Sequence, residues 1–193
     1  MRTASLTRTT NETTIDVALD LDGTGTSTIA TGIGFLDHML AALAKHARLD
    51  LTLRATGDLH IDDHHTAEDC ALALGAALAQ AVGDKRGIAR FGSAYAPLDE
   101  ALARAVIDLS GRPHATVNLD LTRDTIGGLA CENIAHFFTS LAAAAGLTLH
   151  LDVVRGENDH HKAEAGFKAF ALALAQAVRL TGETTVPSTK GVL

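Results

Sequence analysis

The chain contains 193 residues, of which 47% are hydrophobic and 20% charged, and its formal net charge is -7. This length and composition allow a buried core in one large domain or two small ones. The acidic balance and the lack of a basic cluster argue against nucleic-acid binding, and no apolar run approaches the ~18 residues of a membrane span. The first residues lack the apolar centre of a signal peptide. Cys70 and Cys131 are single and widely spaced, which predicts free buried thiols in a reducing, cytoplasmic compartment.

The first half of the chain predicts three strands, a helix, a fourth strand and a second helix. Thr, Val and Ile recur in the first three strands, and Asn-Glu and Asp-Gly turns separate them. Helical spacing follows, then alternating leucines typical of a half-buried strand, then a long Ala/Leu helix. In chain order these elements are residues 2–10, 13–21, 26–31, 35–46, 49–53 and 62–83.

The second half predicts the same order of elements. They are strands near 91–97, 102–109 and 113–121, a helix at 130–145, a strand at 147–155 and a helix at 158–180. Two βββαβα units with helices on one face of each sheet predict an α+β fold, a two-layer sandwich built by internal duplication. We expect a single domain, residues 1–193, made of repeats at about 1–89 and 90–181 with a C-terminal tail, 182–193.

Three alignments between the halves support the duplication. Residues 62–83 match residues 158–179 at an offset of 96, with twelve of 22 positions identical. Residues 34–53 match residues 132–151 at an offset of 98, which places His38 on His136. A weaker match at an offset of 88 places Glu12 on Glu100.

The strongest chemical signal is a His-His-x-x-Glu pattern at the head of both long helices. It provides His64, His65 and Glu68 in one repeat, and His160, His161 and Glu164 in the other. With His38 and His136, the chain offers six imidazoles and two carboxylates, the usual ligands of first-row divalent metals.

Each glutamate shares a helix face with its two histidines, whereas the adjacent histidines are about 100° apart and suit two neighbouring metals. An even split gives each metal three histidines and one glutamate, with open positions that indicate catalysis. A solvated helix start would explain one such pattern but explains two poorly. Asp63 and Asp159 precede the pairs, and we expect them to cap the helices rather than to orient a ligand histidine.

A second motif, DLDGT from Asp20 to Thr24, matches the signature of haloacid-dehalogenase-type phosphatases. Its counterpart in the second half, Asp108 to Gly111, breaks the motif, and the alternating α/β pattern of such enzymes is lacking. We therefore expect an Asp-Gly hairpin turn here.

The chain resembles the imidazoleglycerol-phosphate dehydratases of histidine biosynthesis. The resemblance rests on residues 34–40, 62–69, 87–92, 110–114, 159–171 and the STKG tail. It implies a hydro-lyase that removes water from imidazole glycerol phosphate, a small-molecule phosphate substrate, to give imidazole-acetol phosphate. It also implies two Mn²⁺ per active site, active sites between subunits and a 24-subunit octahedral shell.

The resemblance also implies roles for single residues. The metal ligands would be His38, His64, His65, Glu68, His136, His160, His161 and Glu164. Glu12, Glu68 and Glu164 are the candidate acids and bases, since a carboxylate must move the proton. Substrate would contact those three glutamates together with His38, His64, His65, Arg90, Arg112, His160, His161, Lys168, Ser188, Thr189 and Lys190. Of these, Arg90, Arg112 and the three tail residues match phosphate-binding positions, where arginine offers bidentate geometry.

Two other functions remain open on the residues alone. A dinuclear metallohydrolase would use a metal-bound hydroxide, and a metal-storage or scaffold shell would hold ligands without chemistry.

Overall fold

A computed structural model describes all 193 residues and contains ten strands and four helices. Elements of the first half are β1 (Thr3–Thr9), β2 (Thr13–Asp20), β3 (Ser27–Ala30), α1 (Gly34–Ala47), β4 (Asp50–Gly57) and α2 (His64–Val82). Those of the second half are β5 (Phe91–Leu98), β6 (Ala101–Asp108), β7 (His114–Asn118), β8 (Thr125–Ile126), β9 (Leu129–Ala130), α3 (Cys131–Ala145), β10 (Thr148–Arg155) and α4 (Asp159–Val178). The predicted α+β class and the two βββαβα units are confirmed. None of the helices combines the length and the apolarity that a bilayer crossing requires.

The two four-stranded sheets have the same topology, with orders β1-β2-β4-β3 and β5-β6-β10-β7. The last strand of each sheet is parallel to its neighbour, and the other pairs are antiparallel. The hairpin expected at the Asp-Gly turn is therefore wrong, because β2 and β3 lie on opposite sides of β4. The connecting segment instead binds Asp50, whose Oδ1 accepts backbone N–H groups of Thr24, Gly25 and Thr26 at 2.8–3.0 Å.

The third strand of the second repeat is shorter than expected. It ends at Asn118, and the chain continues in a loop that contains the small β8–β9 hairpin, which the sequence pattern did not indicate. Asp120, Gly127 and Gly128 in this loop have positive φ angles, which a continuous strand does not allow. The loop leads directly into α3.

Helices occupy the space between the two sheets. Alternating residues such as Ile15, Val17 and Leu19 of β2 are buried against the helices, while α2 packs on α3 and α1 packs on α4. Each repeat is thus the predicted two-layer unit, and the two units join through their helical layers. The 55 buried hydrophobic residues form one cluster, so both repeats share a single core.

Small residues allow α2 and α3 to approach closely. A Cβ atom added to Gly75 of α2 would lie 2.6 Å from the carbonyl oxygen of Leu141 and 2.8 Å from the Cβ of Ala144. Any larger residue at this position would separate the helices. This close approach is what brings histidines of the two helices together, since the rings of His64 and His136 stack with centroids 5.0 Å apart.

Candidate metal centres and active site

The two long helices begin with the same backbone capping arrangement. Asp62 Oδ1 accepts a hydrogen bond from the backbone N–H of His64, and Asn158 Oδ1 accepts one from that of His160, both at 2.9 Å. The side-chain caps are therefore one residue earlier than expected, and the prediction that Asp63 caps its helix is wrong. These bonds fix the start of each helix.

Asp63 and Asp159 bind the loop that leads into α3. Asp63 Oδ2 accepts a hydrogen bond from the backbone N–H of Ala130 at 2.7 Å. Asp159 Oδ2 accepts one from each of the N–H groups of Thr122 and Arg123, also at 2.7 Å. Neither aspartate orients a ligand histidine. Both instead hold the loop that leads into α3 in place.

One candidate metal cluster joins α1 to α4. Glu164 Oε2 lies 3.2 Å from Nε2 of His38 and 3.3 Å from Nε2 of His160. The ring of Phe35 meets that of His160 edge-on with centroids 5.1 Å apart, which fixes one side of the cluster.

A second cluster of the same composition joins α2 to α3. Glu68 Oε2 lies 3.6 Å from Nε2 of His64, and Glu68 Oε1 lies 3.3 Å from Nε2 of His136. Ligand atoms bound side by side to one six-coordinate ion are about 3 Å apart when each bond is about 2.1 Å. The donor atoms of each cluster all lie within 4.8 Å of one another, so both donor sets fit a divalent ion.

The second histidine of each pair points away from its cluster. His65 Nδ1 lies 2.9 Å from Asp58 Oδ2, and His161 Nδ1 lies 2.7 Å from Glu100 Oε2. Each ring therefore has one nitrogen fixed by a carboxylate, the arrangement typical of a metal-binding histidine. His161 Nε2 has only the exposed Asp99 carboxylate nearby, at 3.9 Å.

The expected even split of three histidines and one glutamate is thus not assembled within one chain. Each cluster contains two histidines and one glutamate, and the third histidine of each set belongs elsewhere. The roughly 100° between adjacent helical residues explains the different directions of His64 and His65.

These histidine–carboxylate contacts shift pKa values in opposite directions. The hydrogen bond to Asp58 raises the pKa of His65. The hydrogen bond to His161, with two backbone N–H groups, lowers the pKa of Glu100 to about 2. Glu100 is therefore ionised at neutral pH beside its histidine.

Three residues that orient histidines were not predicted in this role. Asn133 Oδ1 lies 2.9 Å from Nδ1 of His64, and Asp58 and Glu100 hold His65 and His161. Asn133 precedes His136 by three residues, so the helical period already placed it on the ligand face. Asp58 follows β4 in a turn, and no periodic signal indicated its position.

Lys168 lies at the first cluster. Its Nζ is 2.7 Å from Glu164 Oε1, one helical turn along α4. Burial disfavours the charge of Glu164, but hydrogen bonds from Lys168 and His38 outweigh this and lower its pKa.

Glu12 shares a small pocket of about 160 Å³ with His65 and Glu68. It lies at the β1–β2 turn, and its Oε2 is 3.8 Å from Nδ1 of His65. Three larger surface depressions, of about 460, 530 and 340 Å³, lie across the first sheet, between β7 and α3, and at the start of α1. None of them contains a clustered histidine. Pocket volume is thus a poor guide to the active site here, because an active site is defined by convergent polar groups.

Arg90 and the tail meet at one corner of the molecule. Arg90 pairs with Asp108 at 2.7 Å, and its Nη1 donates a hydrogen bond to the carbonyl of Pro187 at 2.8 Å. Ser188 Oγ accepts a hydrogen bond from the N–H of Lys190 at 3.2 Å. Arg112, Thr189 and Lys190 are exposed.

This corner is far from the first cluster within one chain. The backbone N–H of Arg90 binds the carbonyl of Ala177 near the C-terminal end of α4, whereas Glu164 lies near its beginning. Thirteen residues of α-helix at 1.5 Å each separate them by about 20 Å. One chain therefore does not bring its tail corner to its own first cluster.

Comparison with known proteins agrees with these features. A family model described as imidazoleglycerol-phosphate dehydratase matches residues 31–174. An imidazoleglycerol-phosphate dehydratase of Phytophthora nicotianae is 61% identical over the whole chain, which spans 43% of that longer protein. One of Phaffia rhodozyma is 58% identical, with 100% of this chain and 97% of that protein covered.

A solved structure has the same fold. The crystal structure of imidazoleglycerol-phosphate dehydratase from Staphylococcus aureus superposes with a TM-score of 0.84 at 38% identity, and covers 93% of this chain and 99% of the other. A duplicated α+β fold with paired His/Glu clusters thus defines a lyase of histidine biosynthesis. The chain belongs to the imidazoleglycerol-phosphate dehydratase family. The predicted family, dehydratase function and hydro-lyase class are confirmed.

Proposed function

We propose that this chain is a metal-dependent imidazoleglycerol-phosphate dehydratase, which converts imidazole glycerol phosphate to imidazole-acetol phosphate. The observation that carries the metal dependence is the pair of matching clusters, each with two Nε2 atoms around one carboxylate. Imidazole suits Fe, Ni, Cu and Zn, and carboxylate suits Mn and Mg, so a mixed set without thiolate accepts several divalent ions. Mn²⁺ is the one that the family resemblance implies. Two Mn²⁺ per active site would act as Lewis acids on the imidazole ring of the substrate.

We further propose that His65 and His161 complete clusters of neighbouring subunits. Their Nδ1 atoms are fixed by Asp58 and Glu100, and each cluster in the chain lacks a third histidine. If neighbouring copies exchange these histidines, each cluster gains a third histidine and each oriented ring gains a metal to bind. It supports active sites between subunits and a closed, symmetric assembly, for which we retain the predicted 24-subunit octahedral shell.

The phosphate would bind at Arg90, Arg112, Ser188, Thr189 and Lys190. Because this corner is about 20 Å from the first cluster of the same chain, the three-carbon arm of the substrate cannot reach both within one chain. A tail from one subunit beside a cluster of another removes the difficulty. Lys168, which binds Glu164, would instead contact the substrate at the metal end.

Glu12 is the best candidate for the acid and base. Its half-exposed carboxylate accepts no hydrogen bond and faces a pocket with His65 and Glu68. Glu164 is bound by Lys168 and His38, which favour its anion, so it serves better as a ligand. Glu68 has two histidine neighbours and also serves as a ligand, although it remains close enough to assist.

The whole chain would act as one unit. A single domain of two repeats, about 1–89 and 90–181, with the tail 182–193, agrees with the shared core. A cytoplasmic location agrees with two free, buried cysteines.

The test combines turnover, metal content and mass. Protein is stripped with a chelator, dialysed and reloaded with Mn²⁺, and substrate turnover, bound metal and light scattering are measured on each sample. We expect about two ions per chain, turnover only with metal, and a smaller assembly after stripping, because ligands of different chains lose their shared ion.

Other outcomes would identify the alternative functions. Hydrolysis of phosphoesters without dehydration indicates a metallohydrolase, and metal binding without turnover of any substrate indicates a storage or scaffold shell. A monomer that carries two tightly bound ions contradicts the exchange of histidines between subunits.

A further inference from the structure

The β1–β2 turn is tied to α2 by a polar network. Asp69, the residue after Glu68, accepts a hydrogen bond from Arg8 Nε at 2.8 Å. Its other oxygen accepts one from the hydroxyl of Thr13. The side chain of Asp69 is only 9% exposed, whereas that of Arg8 is 39% exposed, so this is a half-buried ion pair with a third partner. Arg8 and Thr13 flank the turn on either side, and Glu12 lies between them.

The second repeat has no such network. The residues that correspond to Arg8, Thr13 and Asp69 are the buried alanines Ala96, Ala101 and Ala165. Strand pairing supports this alignment: Thr9 pairs with Thr14 in the first turn, and Pro97 with Leu102 in the second, both at the offset of 88. Three polar residues in one repeat are therefore three alanines in the other.

Glu100 fastens the second turn by itself. Its Oε1 accepts the backbone N–H groups of Glu157 and Asn158 at 3.2 and 2.9 Å, while its Oε2 binds His161 at 2.7 Å. The carboxylate at this position is fully used for structure.

Glu12, which corresponds to Glu100, neither hydrogen-bonds its histidine nor anchors its turn. Asp58 replaces it as the partner of His65 Nδ1, and Asp69 replaces it as the anchor of the turn. The carboxylate of Glu12 is left without a hydrogen bond, beside the second cluster.

We propose that Asp69, with Arg8 and Thr13, is a positioning residue for Glu12, and that it holds the turn so that the free carboxylate faces the substrate. This rests on the proposed role of Glu12 as acid and base. Packing alone does not require the network, since alanines fill the same places in the second repeat and a half-buried ion pair adds little stability over apolar residues. What the directional contacts provide is a fixed turn, and a misplacement of about 1 Å costs a catalytic group about 100-fold.

The test begins with Asp69→Asn, which keeps the shape but removes the ion pair. We expect kcat to fall about 10- to 100-fold, with KM changed less than about threefold and metal content unchanged. The matched control is Asp152→Asn, which removes the exposed strand ion pair to Arg104 and should leave kcat unchanged.

The Glu12→Gln background separates positioning from general damage. If Asp69 acts through Glu12, adding Asp69→Asn to Glu12→Gln should not lower the residual turnover further. An equal loss in both backgrounds, or a loss of bound metal, overturns the proposal. Normal turnover of Asp69→Asn beside an inactive Glu12→Gln overturns this proposal alone, whereas normal turnover of Glu12→Gln overturns the acid–base assignment as well.

Thr13 supplies a second test in case Asp69→Asn does not fold. Thr13→Val removes one hydrogen bond without changing the shape, and it should lower kcat by a smaller factor than Asp69→Asn does. Thr13→Ser keeps the hydroxyl and should keep kcat at the wild-type value. The triple variant Arg8→Ala/Thr13→Ala/Asp69→Ala copies the second repeat. It should fold and bind metal with reduced kcat, and full kcat in either this variant or Thr13→Val contradicts the proposal.

Discussion

Asn133 Oδ1 lies 2.9 Å from Nδ1 of His64, and this contact connects α3 to α2 at the second cluster. It fixes the imidazole so that Nε2 faces Glu68. Since His136 follows Asn133 by one helical turn, α3 supplies both a candidate ligand and the group that orients another. Such outer contacts set metal affinity because they fix ring orientation and tautomer.

Asn133→Ala should weaken metal binding without removing a ligand. Loss of an orienting partner typically costs about 10- to 100-fold in metal affinity, and calorimetric titration of stripped protein with Mn²⁺ would measure it. Asn118→Ala, on the exposed strand β7, is the control and should bind as the wild type does. Equal affinities for Asn133→Ala and wild type would show that the ring is held by other contacts.

His65→Ala and His161→Ala should each abolish turnover without unfolding the chain. Each removes one proposed ligand from a site that needs several, while the side chains are partly exposed and add little to the core. Turnover and circular dichroism of the purified variants provide the measurement. A variant that kept more than about a tenth of wild-type turnover, under ~1.4 kcal/mol of lost transition-state stabilisation, would contradict that assignment.

Mixed assemblies test whether His65 serves another subunit. His65→Ala chains keep both clusters, and His38→Ala chains keep His65 and the second cluster. Neither should be active alone, but co-refolded mixtures should regain part of the turnover, because some sites combine an intact cluster with an intact His65. If His65 served its own chain, no mixture would regain activity.

Much of this site could be predicted because the internal duplication repeats its sequence pattern in both halves of the chain. The spacing of His64 and Glu68, which recurs at His160 and Glu164, indicates that each pair lies on one face of its helix. The structure brings both pairs together. Local sequence could not show that His65 turns toward Asp58, because that contact depends on where the turn after β4 meets α2. The Asp-Gly turn predicts a hairpin that does not form for a related reason, since β4, which separates β2 from β3, is made by a later segment.

Cys70 gives a pH-dependent prediction that is independent of the metals. Burial raises the pKa of its thiol to about 12, whereas the unfolded chain ionises near 9. Above about pH 9 only the unfolded state releases this proton, so the thiol destabilises the fold by up to ~1.4 kcal/mol per pH unit. The unfolding free energy of wild type minus that of Cys70→Ala should be constant below pH 8 and fall between pH 9 and 11. A constant difference up to pH 11 would mean that the thiol ionises in the fold.

Lys190→Ala tests whether the tail binds phosphate. Lys190 is exposed and binds no metal cluster, so both ions should remain bound. If its ammonium contacts the phosphate, substrate affinity should fall about 10- to 150-fold, the equivalent of roughly 1.5–3 kcal/mol for a hydrogen bond to a charged group. Lys45→Ala, on the exposed side of α1, is the matched control.

A ligand that lacks the phosphate never uses the Lys190 contact, so its affinity for the Lys190→Ala variant should hardly change. Equal losses for both ligands would show that the tail acts through structure, and no loss for either would remove it from the active site.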